Sequence, residues 1–248
     1  MAKRRVQERA GNLVWEFFGT MITPQDSVYV RAAKTRCSTA ARKMMNDKSS
    51  RRKLEGLLAA NFVKGDYFLT LTYDNAHLPD NRESANKQLR SFLRKLKDIR
   101  KKRGERTIYI YCTEVGEKDN RLHHHMVVNE MDIAEIKSIW QNGFVQRQFL
   151  DGKDYESVAA YMCKQQGTLP NGKQCWTPCR GLARPVVTRE IVSDSYKIEP
   201  PPGAEILDRI EATNQFGTFL YVKYRINPQP IPMFYRGQNS KRKAQCRA

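Results

Sequence analysis

The stretch Leu122-His-His-His-Met-Val-Val128 decides the fold of the central part of this chain. Its apolar ends and its β-branched residues are typical of a strand that lies inside a sheet. Because side chains alternate between the two faces of a strand, His123 and His125 would point to one face and His124 to the other. The sequence therefore predicts an inner strand that presents two imidazole rings side by side.

The residues around this stretch predict a strand-rich fold. Residues 107–115 contain many aromatic and β-branched side chains, and the polar turn 116–121 would pair them with the histidine strand as an antiparallel hairpin. Residues 67–73 have the same character and predict another strand. The pattern also predicts helices over 30–61, 84–103, 131–140 and 154–166, and strands over 144–150 and 216–226. The predicted fold class is therefore α+β.

The charge of the chain indicates a polyanionic partner. Lys+Arg number 44 and Asp+Glu number 26, which gives a formal net charge of +18. A surplus of this size is typical of proteins that bind nucleic acid. In the predicted helix 84–103 one face is an apolar stripe and the other is basic, which indicates contacts with DNA phosphates, although a solvated helix face stays an open alternative. The residues predicted to bind DNA are Lys95, Lys101, Lys102, Arg103 and Arg121.

Several classes of protein are excluded at this point. No apolar run approaches the roughly 20 residues that span a bilayer, so we expect no contact with a membrane. The basic N-terminus lacks the apolar segment of a secretory signal, and we expect a cytoplasmic protein with its six cysteines reduced. Cys175 and Cys179 lie four residues apart, but a zinc site would need two more ligands at a matching spacing, which favours unrelated thiols.

Two histidines on one strand face indicate a metal site. Imidazoles of His123 and His125 at positions i and i+2 can hold one divalent cation and leave positions open for a substrate. Glu114, near the end of the neighbouring strand, would supply a third ligand, and Glu117 in the turn competes for this role. A carboxylate beside two imidazoles suits Mg²⁺ or Mn²⁺ better than a structural Zn²⁺.

A tyrosine on the predicted helix 154–166 offers a nucleophile. Tyr161 and Lys164 are three residues apart and would share a helix face. A tyrosine hydroxyl can attack a phosphodiester and hold the 5′ phosphate covalently, while a lysine steadies the phosphate charge. Tyr155 is six residues from Tyr161 and would not share that face, which makes it the lesser candidate.

Three blocks, taken in order, resemble the HUH endonuclease superfamily, and within it the rolling-circle replication initiators of small plasmids, integrative elements and microviruses. Phe68–Asp74 resembles the first strand motif, Arg121–Val127 the histidine motif and Tyr161–Lys164 the tyrosine motif. Glu114 stands at the position of the acidic residue that precedes the histidines in the family. Residues 174–185 are similar to the region after the tyrosine motif in bacterial members related to microvirus initiators, and the resemblance covers about residues 60–225.

The resemblance implies a central antiparallel sheet of about five strands flanked by helices, with the histidines on a central strand and the tyrosine helix packed across them. It also implies that the protein nicks one DNA strand at an origin, forms a 5′-phosphotyrosyl intermediate, frees a 3′-OH that primes synthesis, and rejoins strands. His124 stands where the family has an apolar residue. Ser157 stands where two-tyrosine members have a second tyrosine, which makes this a single-tyrosine enzyme. No P-loop sequence is present, so a host helicase and a polymerase are the implied partners.

These expectations give a division of the chain and two kinds of alternative. We expect a basic helical extension over 1–60, an HUH endonuclease domain over 61–226 and a basic tail over 227–248. An HUH relaxase or transposase is one alternative, although most relaxases place the tyrosine ahead of the histidines. A non-catalytic nucleic-acid-binding module is the other, since the aromatic side chains of the predicted sheet could stack on bases.

Overall fold

The computed structural model describes residues 2–21, 40–117, 119–165, 174–214 and 217–226. In chain order the elements are β1 (Lys3–Ala10), β2 (Leu13–Thr20), α1 (Ala40–Asn61), β3 (Tyr67–Leu71), α2 (Arg82–Lys102), β4 (Tyr109–Val115), β5 (Leu122–Val128), α3 (Ile133–Ile139), β6 (Val145–Phe149), α4 (Tyr155–Met162), β7 (Trp176–Pro178), β8 (Val186–Val192), β9 (Glu205–Asn214) and β10 (Gly217–Arg225). The strands form two five-stranded antiparallel sheets, which confirms the predicted α+β class. None of the helices in these described ranges is both long and apolar enough to cross a membrane.

The described residues divide into two compact units. One unit contains a sheet with the strand order β8-β1-β2-β10-β9, and the other contains the four helices and a sheet with the order β6-β3-β5-β4-β7. This division differs from the expected limits of 1–60 and 61–226, because the strands near the C-terminus pair with those at the N-terminus. Residues 227–248, the expected basic tail, lie outside the described residues.

The unit with the helices has apolar cores on both faces of its sheet. Leu69, Leu71 and Met126 point to one face, where they pack with the apolar stripe of α2 and with α3. Val127 and Ile110 point to the other face and pack with α1 and α4. Strand β5 is therefore the centre of a five-stranded sheet that is flanked by helices on both sides.

Helix α2 shows how the local sequence sets these elements. Its first turn is capped by Asn81, whose side chain accepts a hydrogen bond from the backbone N–H of Ser84. The side chains at helical spacing that form its buried stripe are Ala85, Leu89, Phe92, Leu93 and Leu96. Basic residues fill its last turn, where the partial negative charge of the helix end favours them. The predicted helix 84–103 is thus confirmed to within two residues.

The N-terminal part of the chain corrects the expectation of a helical extension. Residues 40–61 are helical, but Lys3–Ala10 and Leu13–Thr20 form a β-hairpin around Gly11 and Asn12. The pairing partners of this hairpin, β8 and β10, follow it by more than 160 residues, so the sequence near the N-terminus does not display them. The apolar core of this sheet contains Val14, Ile198, Val222 and Tyr224.

Candidate active site

The β4–β5 hairpin brings together the three residues predicted to bind a metal ion. Glu114 lies directly opposite His123 in the antiparallel register, and His125 is two residues further along the same face. One ligand atom from each of Glu114, His123 and His125 lies within 4.8 Å of the others. This is the one group of three or more His, Cys, Asp or Glu side chains with metal-ligand spacing in the part of the chain that the structure describes.

Two neighbours on β3 fix the ring of His125. The hydroxyl of Thr70, its register partner, lies 3.1 Å from Nδ1 of His125. The ring of Phe68 stacks on the imidazole with a centroid distance of 5.4 Å and an interplanar angle of 19°. The opposite ring atom, Nε2, is thereby directed to Glu114, whose Oε1 lies 2.9 Å away. Sequence reasoning did not single out Thr70, although the Thr-x-Thr pattern of β3 was visible.

The polar atoms at this centre fit a cation. Nε2 of His125 and Oε2 of Glu114 are buried, and neither makes a hydrogen bond with any described residue, in spite of their short contacts with charged neighbours. Nδ1 of His123 lies 3.3 Å from the carbonyl oxygen of Arg121, which leaves its Nε2 available. Because unpaired buried polar atoms are costly, two imidazoles and a carboxylate in this state suit a bound divalent ion.

The charge state of the centre also favours ligation. Burial alone would raise the pKa of Glu114, but its contacts with His125 and Lys164 hold that pKa below its ordinary value. Burial and the charge of His125 lower the pKa of His123. Glu114 is therefore an anion and His123 a neutral imidazole near neutral pH, and these are the forms that bind metal ions.

His124 lies on the opposite face of β5, as the alternation predicts, and it is completely buried. Its Nε2 is 2.7 Å from the hydroxyl of Tyr73, and its Nδ1 is 2.8 Å from the hydroxyl of Thr113. Since the Thr113 hydroxyl donates to Asn86, it accepts the proton of Nδ1, and Tyr73 then donates to Nε2. Burial and the neighbouring charges lower the pKa of His124 to about 3, so it is a neutral part of the core.

Tyr161 and Lys164 meet at the same centre. The ring of Tyr161 contacts His125 at a centroid distance of 4.8 Å and is 45% exposed. Nζ of Lys164 lies 4.5 Å from the centre of that ring and 2.8 Å from Oε2 of Glu114. Helix α4 ends at Met162, earlier than the predicted 166, so Lys164 lies in the turn after the helix. The predicted proximity of the two side chains is nevertheless present.

The two lesser candidates occupy different places. Tyr155 is buried at the start of α4, where its hydroxyl donates to the carbonyl oxygen of Phe62 at 2.5 Å. That hydroxyl supports the packing of α4 on α1 and is not open to a substrate. Glu117 is exposed in the turn after β4, at the margin of the cleft and outside the group of three ligands.

The site opens into a cleft of about 990 Å³. Its lining includes His123, His125, Tyr161 and Lys164, together with side chains of β3 and β6. The residues of this lining that sequence reasoning passed over are Phe68, Thr70, Gln146, Gln148 and Phe149. Their signal lies in the register of β6 on β3, which becomes visible only when the sheet order is known.

The predicted DNA-binding residues have unequal surroundings. Lys95, Lys101 and Lys102 are exposed on the polar face of α2. The guanidinium of Arg103 instead makes two hydrogen bonds with the carboxylate of Glu135 on α3, at 3.1 and 2.5 Å. Arg121 is half-buried, and it donates to the side chain of Asn75 at 2.7 Å and to the carbonyl oxygen of Tyr73 at 2.9 Å. Both arginines thus have protein partners, while the three lysines face solvent.

The segment that carries this site resembles a known family. Residues 66–166 match the model of a family of replication-associated proteins, described by the name Replication-associated protein ORF2. The matched segment begins one residue before β3 and extends past Lys164, so it contains all five residues of the centre. The match supports a relationship to replication initiators and a role in DNA replication. No curated protein matches the chain.

Proposed function

We propose that this protein is a single-tyrosine HUH endonuclease that initiates rolling-circle replication by nicking single-stranded origin DNA. One observation carries the proposal: the half-exposed ring of Tyr161 packs directly against His125, within the group of three ligands for a divalent ion. A tyrosine that serves only as packing has no reason to lie in an open cleft beside two imidazoles and a carboxylate. The match of residues 66–166 to a replication-associated family supports the same function.

Each side chain of the centre would have its own part in the reaction. Glu114, His123 and His125 would hold the ion, and Mg²⁺ or Mn²⁺ suits their chemistry. When bound, such an ion supplies charge that polarises the scissile phosphate. The Oη of Tyr161 would form a bond with phosphorus while the bond from phosphorus to the 3′ oxygen breaks. The tyrosine proton passes to solvent, and the released 3′ oxygen takes up a proton to become the free 3′-OH.

Lys164 would act as a fixed positive charge. Burial alone would lower the pKa of Lys164, but its contact with the carboxylate of Glu114 raises that pKa above its ordinary value. The ammonium therefore stays charged near neutral pH, where it can stabilise the phenolate of Tyr161 and the phosphate that Tyr161 then holds. Attack by a 3′-OH on the phosphotyrosine would reverse the reaction and rejoin strands.

The test is formation of a covalent complex between the protein and DNA. Purified protein, Mn²⁺ and a pool of labelled single-stranded oligonucleotides that includes the DNA flanking its gene would be separated on a denaturing gel. We expect a band that resists SDS, and its loss in Tyr161→Phe. Replacement of both His123 and His125 by Ala should also remove the band, because the ion would have lost two of its three ligands.

Two further variants separate the possible failures. Tyr111→Phe removes a tyrosine hydroxyl from β4 outside the cleft and should leave the band intact. A band that survives Tyr161→Phe and disappears in Tyr155→Phe would overturn the assignment of the nucleophile. Salt-sensitive DNA binding with no band under any condition would favour the non-catalytic binding module.

A further inference from the structure

Strand β6 carries two glutamines on the floor of the cleft. Gln146 lies opposite Thr70, and Gln148 lies opposite Phe68, in the antiparallel pairing of β6 with β3. Thr70 is also the partner of His125 on its other side, so the glutamines share the face of the sheet that carries the histidines. Both side chains are exposed and line the cleft, and neither amide makes a hydrogen bond with another described residue.

The strand that presents these amides is held firmly. A Cβ on Gly143 would lie 2.4 Å from the carbonyl oxygen of Thr72, so only glycine permits this close approach of the two strands. Backbone hydrogen bonds from Thr72 to Phe144 and from Asp74 to Asn142 continue the pairing beyond the strand. At the other end, the N–H of Leu150 donates to Asp66 at 2.7 Å. A rigid element of this kind suits specific recognition, because its side chains do not need to be ordered on binding.

The charge of the cleft indicates which part of a nucleic acid these amides would meet. Lys164 is the one cationic side chain in the lining, and four carboxylates lie at the margin: Glu117, Asp119, Asp151 and Asp154. Phosphates would be repelled from that margin, whereas uncharged bases would not. A primary amide offers one donor and one acceptor in a plane, which is the arrangement that complements the N6 and N7 atoms of adenine.

We propose that Gln146 and Gln148 recognise an unpaired adenine beside the phosphate that Tyr161 attacks. The inference rests on the proposed function for the position of the DNA strand, and it adds the base that the site selects. In a single strand the base edges are free, so an amide on the cleft floor can pair with a base that is splayed from its neighbours. The amides would then determine sequence preference, and the metal ligands and Tyr161 would not.

The test measures binding, so that its result is independent of cleavage. Fluorescence anisotropy would give the affinities of Tyr161→Phe protein for labelled oligo(dA), oligo(dT) and oligo(dC). We expect a preference for oligo(dA) over oligo(dC) that falls by about tenfold when both glutamines are replaced by Ala, since that is the usual discrimination of an amide–adenine pair. Gln141→Ala removes an exposed glutamine outside the cleft and should leave the preference unchanged.

A second substitution makes the test sharper. Gln146→Glu with Gln148→Glu keeps the size of the side chains and removes the donors, and a carboxylate accepts from the N4 amino group of cytosine. The preference should therefore move towards oligo(dC). A ratio of affinities equal to that of the Gln141→Ala control in both double variants would overturn the inference. Loss of the covalent band with the adenine preference intact would overturn the proposed nuclease function alone.

Discussion

The orientation of His125 depends on the hydroxyl of a single threonine. If Nε2 of His125 binds an ion, Nδ1 carries the ring proton and donates to Oγ1 of Thr70 at 3.1 Å. Such a hydrogen bond selects the tautomer and holds the ring plane, and it raises the basicity of the ligand atom. Phe68 restrains the ring by stacking but cannot choose between tautomers. Thr70 is therefore a positioning residue for the proposed metal centre.

Thr70→Val tests this role with little change in shape. Valine keeps the β-branched outline in β3 but cannot accept the proton of Nδ1, so we expect the affinity for Mn²⁺ to fall by about 10- to 100-fold. The free Mn²⁺ in a titration can be followed by electron paramagnetic resonance. Thr70→Ser should restore the affinity, and Thr72→Val should not change it, because the Thr72 hydroxyl contacts only a backbone carbonyl. Equal affinity in Thr70→Val and wild type would contradict the role.

At the scale of elements, the β1–β2 hairpin contains a buried carboxylate that its neighbours satisfy completely. Glu16 accepts hydrogen bonds from Arg5 at 2.6 Å, Gln7 at 3.1 Å, Tyr196 at 2.6 Å and Tyr224 at 3.1 Å. These partners come from β1, β10 and the segment after β8, so one side chain joins distant parts of the chain. Burial alone would raise the pKa of Glu16, but the bond from Arg5 and the others hold that pKa below its ordinary value.

Glu16→Gln should weaken this sheet by about 3 kcal/mol at neutral pH, because Arg5 loses its buried partner. Hydrogen exchange of the amides in β1 and β2, followed by mass spectrometry, would report the free energy of opening for this unit alone. A carboxyl whose pKa is lowered by folding stabilises the protein above its unfolded pKa of about 4.3 and loses that contribution as the pH falls through the folded value. The difference between Glu16→Gln and wild type should therefore shrink in acid.

The neighbouring carboxylate of Glu190 provides the matched control. Glu190 also pairs with Arg5, at 3.0 Å, but its side chain is 54% exposed. Because exposed ion pairs contribute little, Glu190→Gln should change the exchange free energy by less than about 1 kcal/mol. Equal losses in the two variants would show that the buried position of Glu16 has no special role in the hairpin.

Local patterns predicted one unit well and the other poorly. Strand β5 was predicted with the same limits that the structure has, and β3, β4, β6, α2, α3 and α4 lie within a few residues of their predicted positions. In contrast, β1, β8 and β9 carry charged side chains along both faces, so no clean alternation marks them. A signal was present in β2, since Leu13–Thr20 is rich in aromatic residues and follows the pair Gly11-Asn12, which is typical of a hairpin turn.

The predicted site divides in the same way. Alternation on β5 and the short turn after β4 were enough to predict that Glu114, His123 and His125 lie together. The sequence did not predict Gln146, Gln148 or the role of Thr70, because these depend on the order β6-β3-β5 within the sheet. Nor did it predict that Arg103 and Arg121 have partners inside the protein, since Glu135 and Asn75 are 32 and 46 residues away along the chain. Contacts between elements that are distant in sequence are not visible in periodicity.

At the scale of the whole molecule, the net charge of +18 has to be compared with where free cations lie. The cleft is lined by more carboxylates than amines, so the attraction for DNA has to come from other surfaces. The polar face of α2 offers Lys95, Lys101 and Lys102, whose ammonium groups face solvent. Arg103 is adjacent to them but is already neutralised by Glu135. The structure therefore distinguishes between basic residues that the sequence treats alike.

This distinction predicts the salt dependence of binding to single-stranded DNA. Each lysine that neutralises a phosphate adds about 0.7 to the slope of log K against log salt, so replacement of Lys95, Lys101 and Lys102 by Gln should reduce the slope by about 2. Arg103→Gln should leave the slope unchanged, because its guanidinium releases no counterion while it is paired with Glu135. Affinities at several salt concentrations would measure both slopes. An unchanged slope in the lysine variant would show that this face of α2 is only solvated, and a reduced slope in Arg103→Gln would mean that DNA displaces Glu135 from the arginine.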